Sequence, residues 1–296
     1  MARKKQQFLN FSHNIFMKNG NFRLDMAEES ADFLKIDVKT AQKRVGENVT
    51  VRVTCVQKDE ESRALNRDKG KYITVDAEKN VAYPSVKRDV TAAVKDAIRN
   101  LSSKAFRERP RVLVAGLGNR YVAADAIGPK TADNIETAGK TEMYAISTGI
   151  YAMTGLESAT IIRAVARETK ANLVIVVDTL ATAKPMRVFR SFQLTDAGLE
   201  PGSATQAGRD KINFKSVGVP VIAIGVPTCV YARQIVLDTL EKSGGLSTAK
   251  KYEITHEILK ENVSALYCPK DSEAAATVAA EIIKDAINGT FQGKTH

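Results

Sequence analysis

The sequence has no tryptophan, only three histidines and only three cysteines among 296 residues. His13, His256 and His296 stand far apart, and no HExxH or CxxC-type spacing occurs, so a zinc site is poorly supplied. Cys55, Cys229 and Cys268 form an odd, sparse set. That argues against a disulfide framework and for a reducing cytoplasm. No stretch approaches the ~18 consecutive apolar residues that span a bilayer, so no membrane partner is expected. Residues 1–10 carry charges with no apolar run behind them, so no secretory signal is expected either. The GxSxG elbow of serine hydrolases is missing around Pro201-Gly202-Ser203, and neither His13 nor His256 follows a predicted strand.

What is present is a chain long enough to bury a real core, with 44% hydrophobic residues. The net charge is +10, from 44 Lys plus Arg against 34 Asp plus Glu. Such a balance suits an acidic partner, or simply a solvated basic surface. The charges are dispersed without an Arg-rich tract, so direct nucleic-acid binding is not expected.

Alternating Val49, Val51, Val53 and Cys55 predict a half-buried strand, and residues 72–75 its hairpin partner across a long charged loop. Val90, Val94, Ile98 and Leu101 share one helical face, with Ser85 in position to cap. From residue 111 strand and helix signals alternate. Apolar runs at 112–115, 143–146, 173–177 and 220–225 read as strands, and a further one falls within 188–194. Helices are expected from about residue 125, from the capping-box spacing of Thr154 and Glu157 to about 169, over 230–240, and over 272–287. Unbroken Val/Ile runs mean strands covered on both faces. The predicted fold class is therefore α/β, a mostly parallel sheet flanked by helices, with residues 1–110 as an N-terminal, β-containing extension packed on that core.

Sites in such sheets lie beyond the carboxyl ends of the strands. That rule selects two loops. One runs from Gly116-Leu117-Gly118-Asn119 to Asp125; the other begins at Asp178, after five apolar residues. The GxG is a weak dinucleotide signal, because Tyr121 stands where the third glycine belongs. A helix cap accounts for Asp125 as readily as chemistry does, and backbone contacts account equally for Asp178. Asp196 reads as a turn former, and Cys229 as a small buried thiol. If Asp125 and Asp178 share a cleft, the pair can hydrolyse a bond. An ionised carboxylate takes a proton from water while its protonated neighbour donates one, because like charges held close split their proton affinities.

Several segments resemble the germination endopeptidase, or spore protease, of spore-forming bacteria. They are Gly116-Leu117-Gly118-Asn119 with Asp125-Ala126-Ile127-Gly128-Pro129; Thr154-Gly155-Leu156-Glu157; and Val176-Val177-Asp178-Thr179-Leu180-Ala181. The stretches 195–203 and 220–228 follow in the same order, and Phe22-Arg23-Leu24-Asp25-Met26-Ala27-Glu28 resembles the end of the family's propeptide. The chain departs at Ser147-Thr148-Gly149, where the family has Ala-Pro-Gly, and at Thr182-Ala183-Lys184, where an arginine is missing. The resemblance implies an atypical aspartic endopeptidase that cuts small acid-soluble spore proteins early in germination, in the forespore or spore-core cytoplasm. Its catalytic aspartates fall on Asp125 and Asp178, with no cofactor and no metal. It also implies a self-processing zymogen with residues 1–23 as propeptide, a homotetramer, and a fold similar to hydrogenase maturation peptidases. Residues 24–296 then form one peptidase domain: 24–110 the extension, 111–241 the core, 242–296 a helical part. The alternatives are a hydrogenase-maturation-type peptidase, guided by a metal in its substrate, and a non-catalytic nucleotide-binding α/β protein.

Overall fold

The computed structural model describes residues 25–34, 36–103, 110–202, 210–262 and 265–293. Residues 1–23, with His13, and His296 lie outside them, as does Ser203. One mixed sheet organises the chain. Its central strands are β4 (Arg111–Leu117), β5 (Glu142–Gly149), β6 (Leu173–Thr182) and β8 (Val221–Tyr231), all parallel in the order β5-β4-β6-β8. On the far side of β8 the sheet turns antiparallel through β7 (Ser191–Thr195), β3 (Gly70–Ala77), β2 (Val49–Val56) and β1 (Lys39–Val45). The N-terminal extension thus continues the same sheet. No helix among the described residues is long and apolar enough to cross a membrane.

The period-2 geometry of a strand explains why the central runs are apolar throughout. Val112, Val114, Leu173, Ile175 and Val177 face one layer, built from α3 (Pro84–Ser102) and the C-terminal α10 (Ser272–Phe291). Leu113, Ala115, Val174 and Val176 face the other layer, where Ala159, Ile162 and Ala166 of α6 (Ser158–Glu168) cover them. Both faces exclude water, so no polar residue interrupts these runs. Each fully buried Ile or Val contributes about 1.5–3 kcal/mol of transfer free energy.

Local details differ from the sequence reading. Ser85 lies inside α3, which starts at Pro84 with Tyr83 as its cap residue; proline's fixed φ suits a first helical position. Thr154 and Glu157 form no capping box. Thr154 closes the short helix α5 (Tyr151–Thr154), and α6 begins separately after Glu157. β1 was not expected, because as an exposed edge strand of mostly polar residues it carries no apolar alternation. The cysteine expectation is overturned: Cys229 and Cys268 are disulfide-bonded. The short strand β9 (Leu266–Tyr267) pairs antiparallel with the end of β8, Val230 opposite Tyr267, which sets the two cysteines face to face with Cα atoms 4.5 Å apart. A separation of 39 residues hid that pairing in the sequence.

Candidate active site

Asp178 does not lie beyond its strand. β6 continues through it to Thr182, because β8 keeps pairing alongside, Asp178 opposite Gly225 and Thr182 opposite Val230. Asp125 comes from the other side. The loop after β4 turns back through a 3₁₀ turn, Ala123–Asp125, and a short helix, α4 (Ile127–Ala132), starts behind it. Asp125 caps no helix. Its Oδ2 accepts the Asn119 main-chain N–H at 2.7 Å, across the loop it closes.

The glycines of this loop act by their missing side chains, not as a phosphate cradle. Gly118 sits at φ +108, and a Cβ there would lie 2.2 Å from the Asp125 carbonyl oxygen. Gly128 lies against the strands: a Cβ would fall 2.1 Å from the Leu117 carbonyl oxygen and 2.6 Å from that of Val177. Both gaps let the loop close onto β4 and β6, which brings Asp125 towards Asp178.

Thr179 joins the two carboxyl groups. Its hydroxyl donates to Asp125 Oδ1 at 3.1 Å, and its main-chain N–H donates to Asp178 Oδ1 at 2.8 Å. Sequence reasoning missed this residue, although a hydroxyl directly after a strand-borne aspartate was a usable signal. Both aspartates line one cleft of about 480 Å³, with apolar walls from Leu117, Val122, Ile150, Leu180 and Leu199.

The environment pushes both carboxyls towards protonation, unequally. Removal from water is the main cause at Asp178; the charge of Asp125 adds to it, and that of Asp25 adds a little more. The single Thr179 N–H opposes them, and the group is pushed up to about 8. Asp125 is raised by burial as well, but its Asn119 and Thr179 donors favour the ionised form. Of the two, Asp178 is pushed further towards the protonated form, while the donors at Asp125 favour its ionised form.

A second cluster, unforeseen in the sequence, tethers the N-terminal helix α1 (Ala27–Leu34) to the end of β6. Glu29 Oε1 accepts the Thr182 hydroxyl at 2.5 Å and its Oε2 accepts the Ala183 N–H at 2.8 Å. The buried Arg187 guanidinium reaches Glu29, Glu28 and Asp76 at 3.2, 2.9 and 3.3 Å. Asp25, just before the helix, lines the cleft itself.

The remaining candidates stand apart from this site. His256 is exposed on α9 (Thr248–Leu259). Asp196 Oδ1 accepts the Lys71 N–H of β3 at 2.8 Å, a structural bond at the β7 turn. Cys229 is held in the disulfide that lines the cleft. Among the described residues no group of three His, Cys, Asp or Glu side chains could hold a metal ion.

The model of the germination protease family matches residues 21–243. The germination protease of Clostridium acetobutylicum is 29% identical over 289 residues, spanning 86% of this chain and 88% of that protein. That of Clostridium perfringens strain 13 is 33% identical over 242 residues, spanning 75% and 74%. Among solved structures, the [NiFe] hydrogenase maturation protease HycI of Thermococcus kodakarensis covers 64% of this chain and 99% of its own, with a TM-score of 0.34 and 17% identity. The family-model match and the Clostridium perfringens relative show that the chain belongs to the germination protease family.

Proposed function

We propose that this protease is an endopeptidase that hydrolyses small acid-soluble spore proteins during germination, with Asp125 and Asp178 as its catalytic pair. The observation that carries this reading is the Thr179 bridge between two carboxyls of unequal proton affinity in one cleft. Asp125, ionised, takes a proton from water as the water oxygen attacks the scissile carbonyl carbon. Asp178, protonated, gives its proton to the carbonyl oxygen, so the tetrahedral intermediate is a neutral gem-diol. Asp125 then returns its proton to the peptide nitrogen. The C–N bond breaks, Asp178 recovers a proton from one hydroxyl, and the pair is restored. Positioning and charge matching of this kind supply the rate enhancement without a covalent intermediate.

The same reading includes a zymogen whose residues 1–23 are removed by its own activity, a homotetramer, and action inside the germinating spore; these rest on the family resemblance. The apolar cleft walls suit an extended peptide rather than a compact polar ligand. The test is incubation of the purified protein with a small acid-soluble spore protein, the fragments being read by mass spectrometry. Internal cuts at a small set of bonds, together with loss of the N-terminal segment, are expected. An intact substrate at every pH between 5 and 9 would refute the assignment.

A further inference from the structure

A third carboxylate enters the cleft from the N-terminal side. Asp25 is 3% exposed, and its Oδ2 accepts the main-chain N–H of Ala181 at 2.8 Å. Ala181 follows the shift in the β6–β8 register between Leu180 and Ala181. Such a bulge re-aims the strand and withdraws amides from the ladder. Ala181 is itself buried, so its N–H needs a partner there. The buried Tyr231 phenol, on β8, also hydrogen-bonds the Asp25 carboxylate.

The main chain around Asp25 is fixed just as closely. Gln193 Oε1 accepts the Ala27 N–H at 2.7 Å, and its amide nitrogen donates to the Asp25 carbonyl at 3.3 Å. In register, Gln193 lies opposite Gly225, and Gly225 opposite Asp178. One row across β7, β8 and β6 therefore links the clamp on Asp25 to Asp178.

We propose that Asp25 is a positioning residue for Asp178: it secures the bulged strand three residues further on, and it places a second anionic group in the same cleft. This deepens the reading of the site as a peptidase pair and rests on it. The charged and titratable groups around it are Asp125 from the loop after β4, Asp178 on β6, Tyr231 on β8, Arg67 before β3 and Glu29 in α1. With Asp25 ionised, its charge opposes ionisation of Asp178 and extends the pH range over which Asp178 keeps its proton.

Two variants separate the hydrogen bond from the charge. Asp25→Asn retains an acceptor for the Ala181 N–H and removes the charge. Asp25→Ala removes both. For Asp25→Asn, the alkaline limb of the pH–rate profile moves to lower pH, and thermal stability stays close to wild type. The midpoint of the Asp178 carboxyl, followed by ¹³C NMR titration, moves the same way. Asp25→Ala lowers kcat about tenfold or more while KM is kept, because the strand carrying Asp178 loses its anchor. An unmoved Asp178 midpoint in Asp25→Asn overturns the inference, as does an unchanged kcat in folded Asp25→Ala. The NMR titration needs no turnover. If the wild-type protein cleaves nothing, the peptidase reading fails, while the titration still decides the role of Asp25.

Discussion

Replacing Thr179 with valine removes a single hydroxyl and keeps the shape of the side chain and its fitness for a strand. Among the described residues that hydroxyl is one of two donors to Asp125; the other is the Asn119 N–H. A hydrogen bond to a charged acceptor contributes about 1.5–3 kcal/mol. Dividing by about 1.4 kcal/mol per pH unit gives about one to two units in a dry site. Asp125 is partly exposed on the cleft wall, which favours the lower figure. The lost donor stabilised the ionised form, so the Asp125 carboxyl becomes harder to ionise and the acid limb of kcat/KM moves to higher pH. On that limb, activity at a fixed pH falls about tenfold. The alkaline limb stays, because the donor to Asp178 is the Thr179 main chain, which valine retains. The assay is a pH–rate profile for a short peptide substrate with wild type and Thr179→Val in parallel. An unmoved acid limb, or equal movement of both limbs, would refute the assignment of Asp125 as the ionised partner.

Asp178 also implies a stability cost. Its carboxyl is raised to about 8 in the folded protein, so between about pH 4 and 8 the folded state binds more protons than the unfolded state, and stability falls as pH rises through that window. Asp178→Asn is therefore expected to melt above wild type at pH 8 and close to it at pH 4; a lower melting temperature at pH 8 would contradict the burial argument. Arg187→Met strips the buried cation from Glu28, Glu29 and Asp76, and is expected to cost about 3–5 kcal/mol in urea unfolding. A loss under about 1 kcal/mol would show that Arg52, which also pairs with Glu28 and Asp76, suffices by itself. Removing the disulfide with Cys229→Ser and Cys268→Ser together releases a 39-residue separation, a loss of up to about 4 kcal/mol by loop entropy. Thiol titration of the unfolded wild-type protein should find one free cysteine, and three would count against the bridge.

The central sheet was legible because its strands are buried on both faces. The runs at 112–115, 173–177 and 220–225 had to be apolar because both faces of their strands are covered. The strands' far ends were not legible. β6 and β8 run on past their apolar runs, and a polar residue such as Asp178 belongs to the strand only because a neighbour pairs with it. For the same reason the strand-end rule pointed to the two loops but not to how far the strands run. It led to Asp125 and Asp178 individually, and only the three-dimensional turn at Gly118 and Gly128 joins them through Thr179. Asp25 and Glu29 were invisible as parts of the site, since they act over more than 150 positions of sequence on amides that carry no side-chain signal. The cysteine pairing failed for a similar reason, as it depends on two residues of β9 lying against β8.

The two-aspartate assignment is tested most directly by single-turnover cleavage of a small acid-soluble spore protein with wild type, Asp125→Asn and Asp178→Asn, each shown to be folded by circular dichroism. Each variant is expected to lose at least about a thousandfold in rate, since on this assignment each removes a proton-transfer group that acts in the transition state. Cleavage by either folded variant at close to the wild-type rate would contradict it.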